Sequence, residues 1–384
     1  MQFIDLQVQR ARISDRIDSA IAKVLESGQF VMGPQVRAFE EQLAAFSGAS
    51  HALGCGNGTD AIALPLMAWG LQPGDAVFCP SFTFCATAEV IPWLGATPVF
   101  VDVEPDTFNM DPAHLEAAIE QVIKEGKLKP KVIIGVCLFG QAANYPRLRE
   151  IADKYDLKLI ADSAQGFGTT INGRHPSDFA DIVTTSFFPA KPLGCYGDGG
   201  AVVTNDAALA ERIDSLRVHG KAVASDTKGA DFEHDPKYLN MRVGMNSRLD
   251  SIQAAILIEK LAIFADEIEL RNRAAARYNE KLAPHVTAVP HVAEDVVSTW
   301  AQYTIKHPDR DGLQAHLRAK NIPSAVYYPV PMHMNVAYEH YPTGPGGLPV
   351  TEQLATQVIS LPMYPYLDEG DQDRIVEAVA AFAS

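Results

Sequence analysis

The chain has 384 residues, 47% hydrophobic and 21% charged, with a formal net charge of −15. That length allows one large core plus a smaller domain, and the acidic balance disfavours nucleic acid as a partner and offers no polybasic patch to a membrane. The five cysteines (Cys55, Cys79, Cys85, Cys137 and Cys195) are odd in number, form no CxxC pair and have no clustered histidines, which argues against a disulfide framework or a metal site.

Residues 1–6 carry no charged n-region or apolar h-region, and no later stretch is long and apolar enough for a membrane helix, so a cytoplasmic protein is expected. Ile13–Phe46 reads as two helices broken at Gly28–Pro34. From about residue 50 to 205, short apolar runs alternate with amphipathic ones. Strands are predicted at His51–Cys55, Ala76–Pro80, Pro98–Asp102, Val132–Cys137, Lys158–Asp162, Asp181–Ser186 and Ala201–Thr204. Helices are predicted at Asp60–Trp69, Pro112–Glu125 and Tyr145–Tyr155, with Gly70 and Gly126 where C-caps belong. Several strands are apolar on both faces, as in a buried parallel sheet. The alternation therefore implies an α/β fold with a mostly parallel seven-stranded sheet flanked by helices. Lys221–Tyr238 is polar and reads as a mobile or ligand-ordered loop. Leu249–Leu282 is a long helix leading out of the large domain. Strands around Trp300–His307 and Ser324–Tyr328 and a closing helix at Asp371–Phe382 make a smaller C-terminal α+β domain. The expected division is 1–260 and 261–384.

In an open α/β sheet, ligands bind beyond the carboxyl ends of the strands. Asp162 and Ser186 each end a predicted strand, so both face one crevice. Lys191 follows on the next loop, between Pro189 and Pro192, with no helix to sit in and no carboxylate at helical spacing. A strand-end Asp with such a Lys one unit later is what a pyridoxal 5′-phosphate site needs. The lysine forms the Schiff base and the carboxylate pairs with the protonated pyridine nitrogen. Asp162 could instead cap a helix, with Gln165 completing a capping box. Asn57-Gly58-Thr59-Asp60 opens a helix after a strand, and its free N–H groups with the Thr59 hydroxyl suit an anion, although a plain N-cap reads equally well. The preceding Gly54-Cys55-Gly56 lacks dinucleotide-binding spacing. Phe84, after the second strand, can stack on a flat ring, unless it or Phe82 is core. Asn246 and Arg248 precede the long helix and suit phosphate or carboxylate oxygens, or alternatively cap that helix and pair with Asp250. Four of the cysteines read as small buried hydrophobes, and Cys195 stands out for its place beside the Lys191 loop.

Together these stretches resemble the DegT/StrS-type nucleotide-sugar aminotransferases, of the aspartate-aminotransferase (fold type I) group. The resemblance runs through Gly33–Val36 with Phe39-Glu40, Asn57–Ala61, Pro80–Thr87, Asp162–Gly166, Ser186–Gly200, Gly244–Leu249 with Gln253–Ala255, Tyr328-Pro329 and Ser360–Met363. It implies that Lys191 is the Schiff-base lysine, Asp162 binds the pyridine nitrogen and Gln165 faces the ring hydroxyl. Ser186, Gly58 and Thr59 would hold the phosphate, and Phe84 would stack on the ring. Asn246 would reach the phosphate of a neighbouring subunit, which implies a homodimer with shared active sites. Arg248 would face substrate, with Tyr328 and His333 nearby. Ala161 departs from the family's frequent Glu, at a position expected to point away from the ring. Relatives that have lost the lysine are dehydratases; Lys191 implies transamination.

The expected activity is ping-pong transfer of an amino group from L-glutamate to a nucleotide-linked keto-sugar. The wording of Phe187–Gly200 is closer to members that aminate C3, including those acting on keto-uronic acids. The alternative is C4 amination of a 4-keto-6-deoxy sugar nucleotide. A cofactor-holding regulatory relative and an amino-acid-specific enzyme are the other classes.

Overall fold

The computed structural model describes residues 1–227 and 238–383. Helices α1 (Leu6–Arg12), α2 (Ser14–Ser27) and α3 (Pro34–Phe46) come first. The sheet region follows as β1 (His51–Cys55), α4 (Gly58–Ala68), β2 (Asp75–Pro80), α5 (Ala86–Trp93), β3 (Thr97–Val101), α6 (Pro112–Glu125), β4 (Lys129–Val136) and α7 (Tyr145–Lys154). It continues through β5 (Lys158–Asp162), β6 (Thr170–Ile171), β7 (Ile182–Ser186), β8 (Gly200–Thr204), α8 (Ala207–Leu216) and α9 (Ala224–Thr227). The remainder is α10 (Ser251–Leu282), β9 (Val296–Val297), β10 (Tyr303–Lys306), α11 (Arg310–Ala319), α12 (Pro349–Gln357), β11 (Val358–Leu361) and α13 (Glu369–Ala383).

The seven-stranded sheet has the order β1-β8-β7-β5-β4-β2-β3. β7, β5, β4, β2 and β3 pair in parallel, and β8 runs antiparallel to both β7 and β1. Successive strand residues enter opposite layers, as the two-residue period requires. Ile133, Leu159 and Ala161 pack with α3, α6, α7 and α10, whereas Val132, Ile134 and Ile160 pack with α4, α5 and α8. This double burial is why the strands read as unbroken apolar runs. Local signals set the helix limits. Asp111 accepts from the N–H groups of Ala113 and His114 to start α6, and Gly126, at φ +66°, ends it.

α10, 32 residues long, joins the two parts of the molecule. Its first half packs on α2 and α3; its second half enters a separate core with β10, β11, α11 and α13. Among the described residues no helix is long and apolar enough to cross a membrane.

Differences from expectation are local. Ser324–Tyr328 is not a strand; only Ala325 bridges to Ser360. Pro323 and Pro329 flank the segment and lack donors for a ladder, and Tyr328 turns away to bond Gln165. The predicted Trp300–His307 strand shortens to Tyr303–Lys306, since Trp300 sits at φ +49°. Residues 228–237 of the expected 221–238 loop lie outside the described residues; Lys221 bridges to Asn240.

Candidate active site

Asp162 and Thr184 are register partners in parallel strands, so the carboxyl ends of β5 and β7 open on one edge of the sheet. A cavity of about 470 Å³ lies there. Asp162, 4% exposed, forms part of its floor. Its Oδ2 accepts from Thr87 Oγ1 at 2.8 Å and its Oδ1 from the Ala164 N–H at 3.1 Å. Thr87 Oγ1 in turn lies 3.0 Å from Thr83 Oγ1. A turn and not a helix follows Asp162, so the capping-box alternative fails. Burial pushes the carboxyl above its ordinary range, while Thr87, the Ala164 N–H and the Lys191 charge oppose that shift.

Lys191 sits on the loop between β7 and β8 and lines the same cavity. Its N–H donates to the Phe188 carbonyl at 2.8 Å. Among the described residues its Nζ has no hydrogen bond or ion pair. Burial pulls the ammonium below the ordinary lysine range, with Asp162 opposing. The same low-polarity surroundings thus disfavour both charges and make the amine a better nucleophile.

The start of α4 and the end of β7 also line the cavity. Asn57 caps α4, its Oδ1 accepting from the Asp60 N–H at 2.8 Å. The N–H groups of Gly58 and Thr59 precede any intrahelical acceptor, and both residues line the cavity with Ser186. The Asn57 cap is thus observed, and it leaves these N–H groups available to an anion. Only glycine fits here: a Cβ on Gly58 would lie 2.6 Å from Ser186 Cβ, and one on Gly200 2.3 Å from the Asn57 carbonyl oxygen.

The opposite wall is aromatic. Phe82 is fully buried in the core, but Phe84 is 52% exposed and lines the cavity. Tyr328 lies beside it, ring centroids 6.4 Å apart. Gln165 is held at both ends: Oε1 accepts from the Phe139 N–H at 2.8 Å, and Nε2 donates to Tyr328 Oη at 2.9 Å. Burial raises the Tyr328 pKa, so the phenol keeps its proton. A flat ring with a phosphate at one edge fits these residues: donors at one end, a half-exposed aromatic ring, a buried carboxylate and an amine with no hydrogen bond among the described residues.

Three other predicted residues do not line the cavity within this chain. Asn246 is exposed and bridges to Val218. Arg248 makes no ion pair with Asp250 among the described residues, and Asp250 gives no side-chain cap to α10, so the capping alternative is not seen. Ser247 between them donates to Asp60 Oδ2 at 2.7 Å and accepts from the Gly56 N–H, which pins the segment beside the start of α4. His333 Nδ1 lies 2.7 Å from Ser81 Oγ, just past β2, and Nε2 is 3.3 Å from Glu352. Cys195 is fully buried, its Sγ donating to the Gly197 carbonyl at 3.2 Å.

Sequence reasoning missed Thr83, Thr87, Phe188, Asp198, Gln302 and Tyr327 among the lining residues. The i,i+4 spacing of Thr83 and Thr87, within a stretch already singled out, was a usable signal. Gln302 arrives from the C-terminal part and has none.

A profile of the DegT/DnrJ/EryC1/StrS aminotransferase family matches residues 11–380. The chain is 45% identical over 368 residues to the UDP-2-acetamido-2-deoxy-3-oxo-D-glucuronate aminotransferase of Pseudomonas aeruginosa, covering 96% of each chain. It is 40% identical over 382 residues to a "Pleiotropic regulatory protein" of Geobacillus stearothermophilus, covering 99% of this chain and 97% of that one. The crystal structure of a DegT DnrJ EryC1 StrS aminotransferase from Brucella abortus superposes with a TM-score of 0.95 at 52% identity, covering 100% of both chains. The chain belongs to the DegT/DnrJ/EryC1/StrS aminotransferase family.

Proposed function

We propose that the protein moves an amino group from L-glutamate to C3 of a nucleotide-linked keto-sugar, with UDP-linked 3-keto-uronic acids as favoured substrates and pyridoxal 5′-phosphate as cofactor. The observation that carries this reading is the convergence of Lys191, Asp162 and the Gly58–Thr59–Ser186 cradle on one cavity. The name of the Pseudomonas aeruginosa relative supports C3 and the uronic acid.

Bound in the cavity, the cofactor supplies an electron sink for the carbon whose amino group is exchanged. Lys191 would hold it through Nζ and, once displaced, carry a proton to and from the substrate carbon. The lowered ammonium pKa favours the neutral base this needs. Asp162 would keep the ring nitrogen protonated, its orientation fixed by Thr87 and the Ala164 N–H. The cradle N–H groups and Ser186 would take the phosphate, and Phe84 would cover the ring. Gln165 has one amide hydrogen left for the ring hydroxyl, and Tyr328 can donate its phenol proton to substrate.

A homodimer with shared active sites is part of the proposal. Asn246 and Arg248 do not line this chain's own cavity. Phe30, Val31, Met241 and Val243 are all exposed, and Val31 bridges to Asp250 at the start of α10. Exposed apolar side chains on the segments that flank polar groups with no hydrogen bond among the described residues suit a second copy. There Asn246 would reach the neighbouring phosphate and Arg248 the substrate, with His333 near it.

The test is the visible absorption of the cofactor-loaded protein. L-glutamate should shift the band, and UDP-linked 3-keto sugars should restore it. Restoration by 4-keto sugars alone would replace the C3 assignment, and a band unmoved by L-glutamate would remove the donor. The name of the Geobacillus stearothermophilus relative favours a second reading, a cofactor-holding regulator; a band that no keto-sugar restores would select it.

A further inference from the structure

The proposed chemistry leaves one buried charge unused. Lys260, on α10, is 2% exposed. Its Nζ donates to the Gly194 carbonyl at 2.7 Å and lies 4.3 Å from the centroid of the Tyr196 ring. Both partners belong to the loop that carries Lys191. Gln253 stands two helical turns earlier on the same face, and its Oε1 accepts from the Tyr196 N–H at 2.9 Å.

The loop is folded tightly on itself. The Phe187 N–H donates to the Gly199 carbonyl at 2.7 Å, the Cys195 N–H to Phe187 at 2.8 Å and the Lys191 N–H to Phe188 at 2.8 Å. A Cβ on Gly194 would lie 2.5 Å from the Pro189 carbonyl oxygen, so the two arms touch behind Lys191. Among the described residues, the side-chain hydrogen bonds reaching residues 187–199 from α10 are those of Lys260 and Gln253.

A buried ammonium is costly unless its donors are met. Burial brings Lys260 down to about 8, with the charges of Glu267 and Cys195 opposing. A methionine would fill the same space without that cost. What a lysine adds is a charge-assisted bond to one chosen carbonyl, three residues past Lys191.

We propose that Lys260 and Gln253 are positioning residues that clamp residues 194–196 to α10 and so fix where Lys191 Nζ stands in the cavity. The proposal rests on Lys191 being the cofactor-binding lysine, but its first readout needs no cofactor. In cofactor-free protein, Lys260→Met should speed amide exchange at residues 193–198 by about tenfold or more, the loss of one charged hydrogen bond, with β5 and α3 unchanged. In the loaded enzyme, kcat should fall about tenfold while KM for L-glutamate stays within about twofold, because a misplaced base harms the reacting step and not ground-state binding. Gln253→Leu, at a half-buried position, should act the same way more weakly, and it serves if Lys260→Met does not fold. Unchanged loop exchange, acceleration spread equally over β5 and α3, or wild-type kcat in both variants would overturn the proposal. Normal turnover in Lys191→Ala would instead remove the reading beneath it, and loop-specific exchange in Lys260→Met would still report the clamp.

Discussion

Gly58→Ala tests the anion cradle directly. The new Cβ would meet Ser186 Cβ at 2.6 Å, Oγ at 3.1 Å and Cα at 3.3 Å, against an optimum of about 3.5–4.0 Å for carbon pairs. Neither side yields easily. Ser186 is locked in register with Gly200 of β8, and Gly200 abuts the Asn57 carbonyl. The start of α4 and the end of β7 must therefore part, at an overpacking cost of about 1–3 kcal/mol. The cradle N–H groups and the Ser186 hydroxyl then no longer converge. Losing one charge-assisted hydrogen bond of about 1.5–3 kcal/mol should raise the Kd for pyridoxal 5′-phosphate about 10–100-fold. The assay is titration of cofactor-free protein with pyridoxal phosphate and, in parallel, with pyridoxal, which lacks the phosphate. Weakening should be confined to the phosphorylated ligand. A Kd within about twofold of wild type, or equal weakening for both ligands, refutes the assignment of phosphate to this cradle.

Lys191→Ala should lower turnover by at least about 10²-fold, the usual scale for losing a proton-transfer group, while the protein keeps its thermal midpoint; stopped-flow spectra with L-glutamate check it. Glu40→Ala should destabilise the fold by about 1–3 kcal/mol in urea unfolding, because it takes one of two carboxylate partners from Arg217, whose side chain is 3% exposed and which keeps Asp214 and the Gly54 carbonyl, and leaves the Gly54 N–H without its acceptor; Glu40→Gln, which keeps that acceptor, should lose less. Lys260 titrates near 8 when folded against 10.5 ordinarily, so between those values the unfolded chain binds the extra proton and stability rises with pH, its benefit present above 10.5 and lost as pH falls through 8. Relative to Lys260→Met, the wild type should gain about 2–3 kcal/mol from pH 7 to pH 10 in denaturant unfolding, and a pH-independent difference would contradict it.

What the sequence discloses about this site depends on how far apart its partners lie along the chain. Asp162 and Ser186 are legible because parallel strands buried on both faces run apolar until they reach the polar residue at the crevice. Lys191 is legible through the prolines beside it, and Gly58 through the strand–turn–helix around it. The contacts that fix these groups join distant segments: Thr87 to Asp162 across 75 residues, Lys260 to Gly194 across 66, Gln165 to Tyr328 across 163. No periodicity encodes such pairs. Ser324–Tyr328 shows the same gap from the other side. Its Ala-Val-Tyr-Tyr composition favours a strand, yet flanking prolines and the pull of Gln165 on Tyr328 leave one bridge and bring an aromatic into the cavity. Asn246 and Arg248 lie beyond even this distinction, since neither lines the cavity of its own chain. A local signal can place a reactive group at the end of its element. The angle at which that group meets its substrate is set by residues that become neighbours only when the sheet, α10 and the C-terminal segment close together.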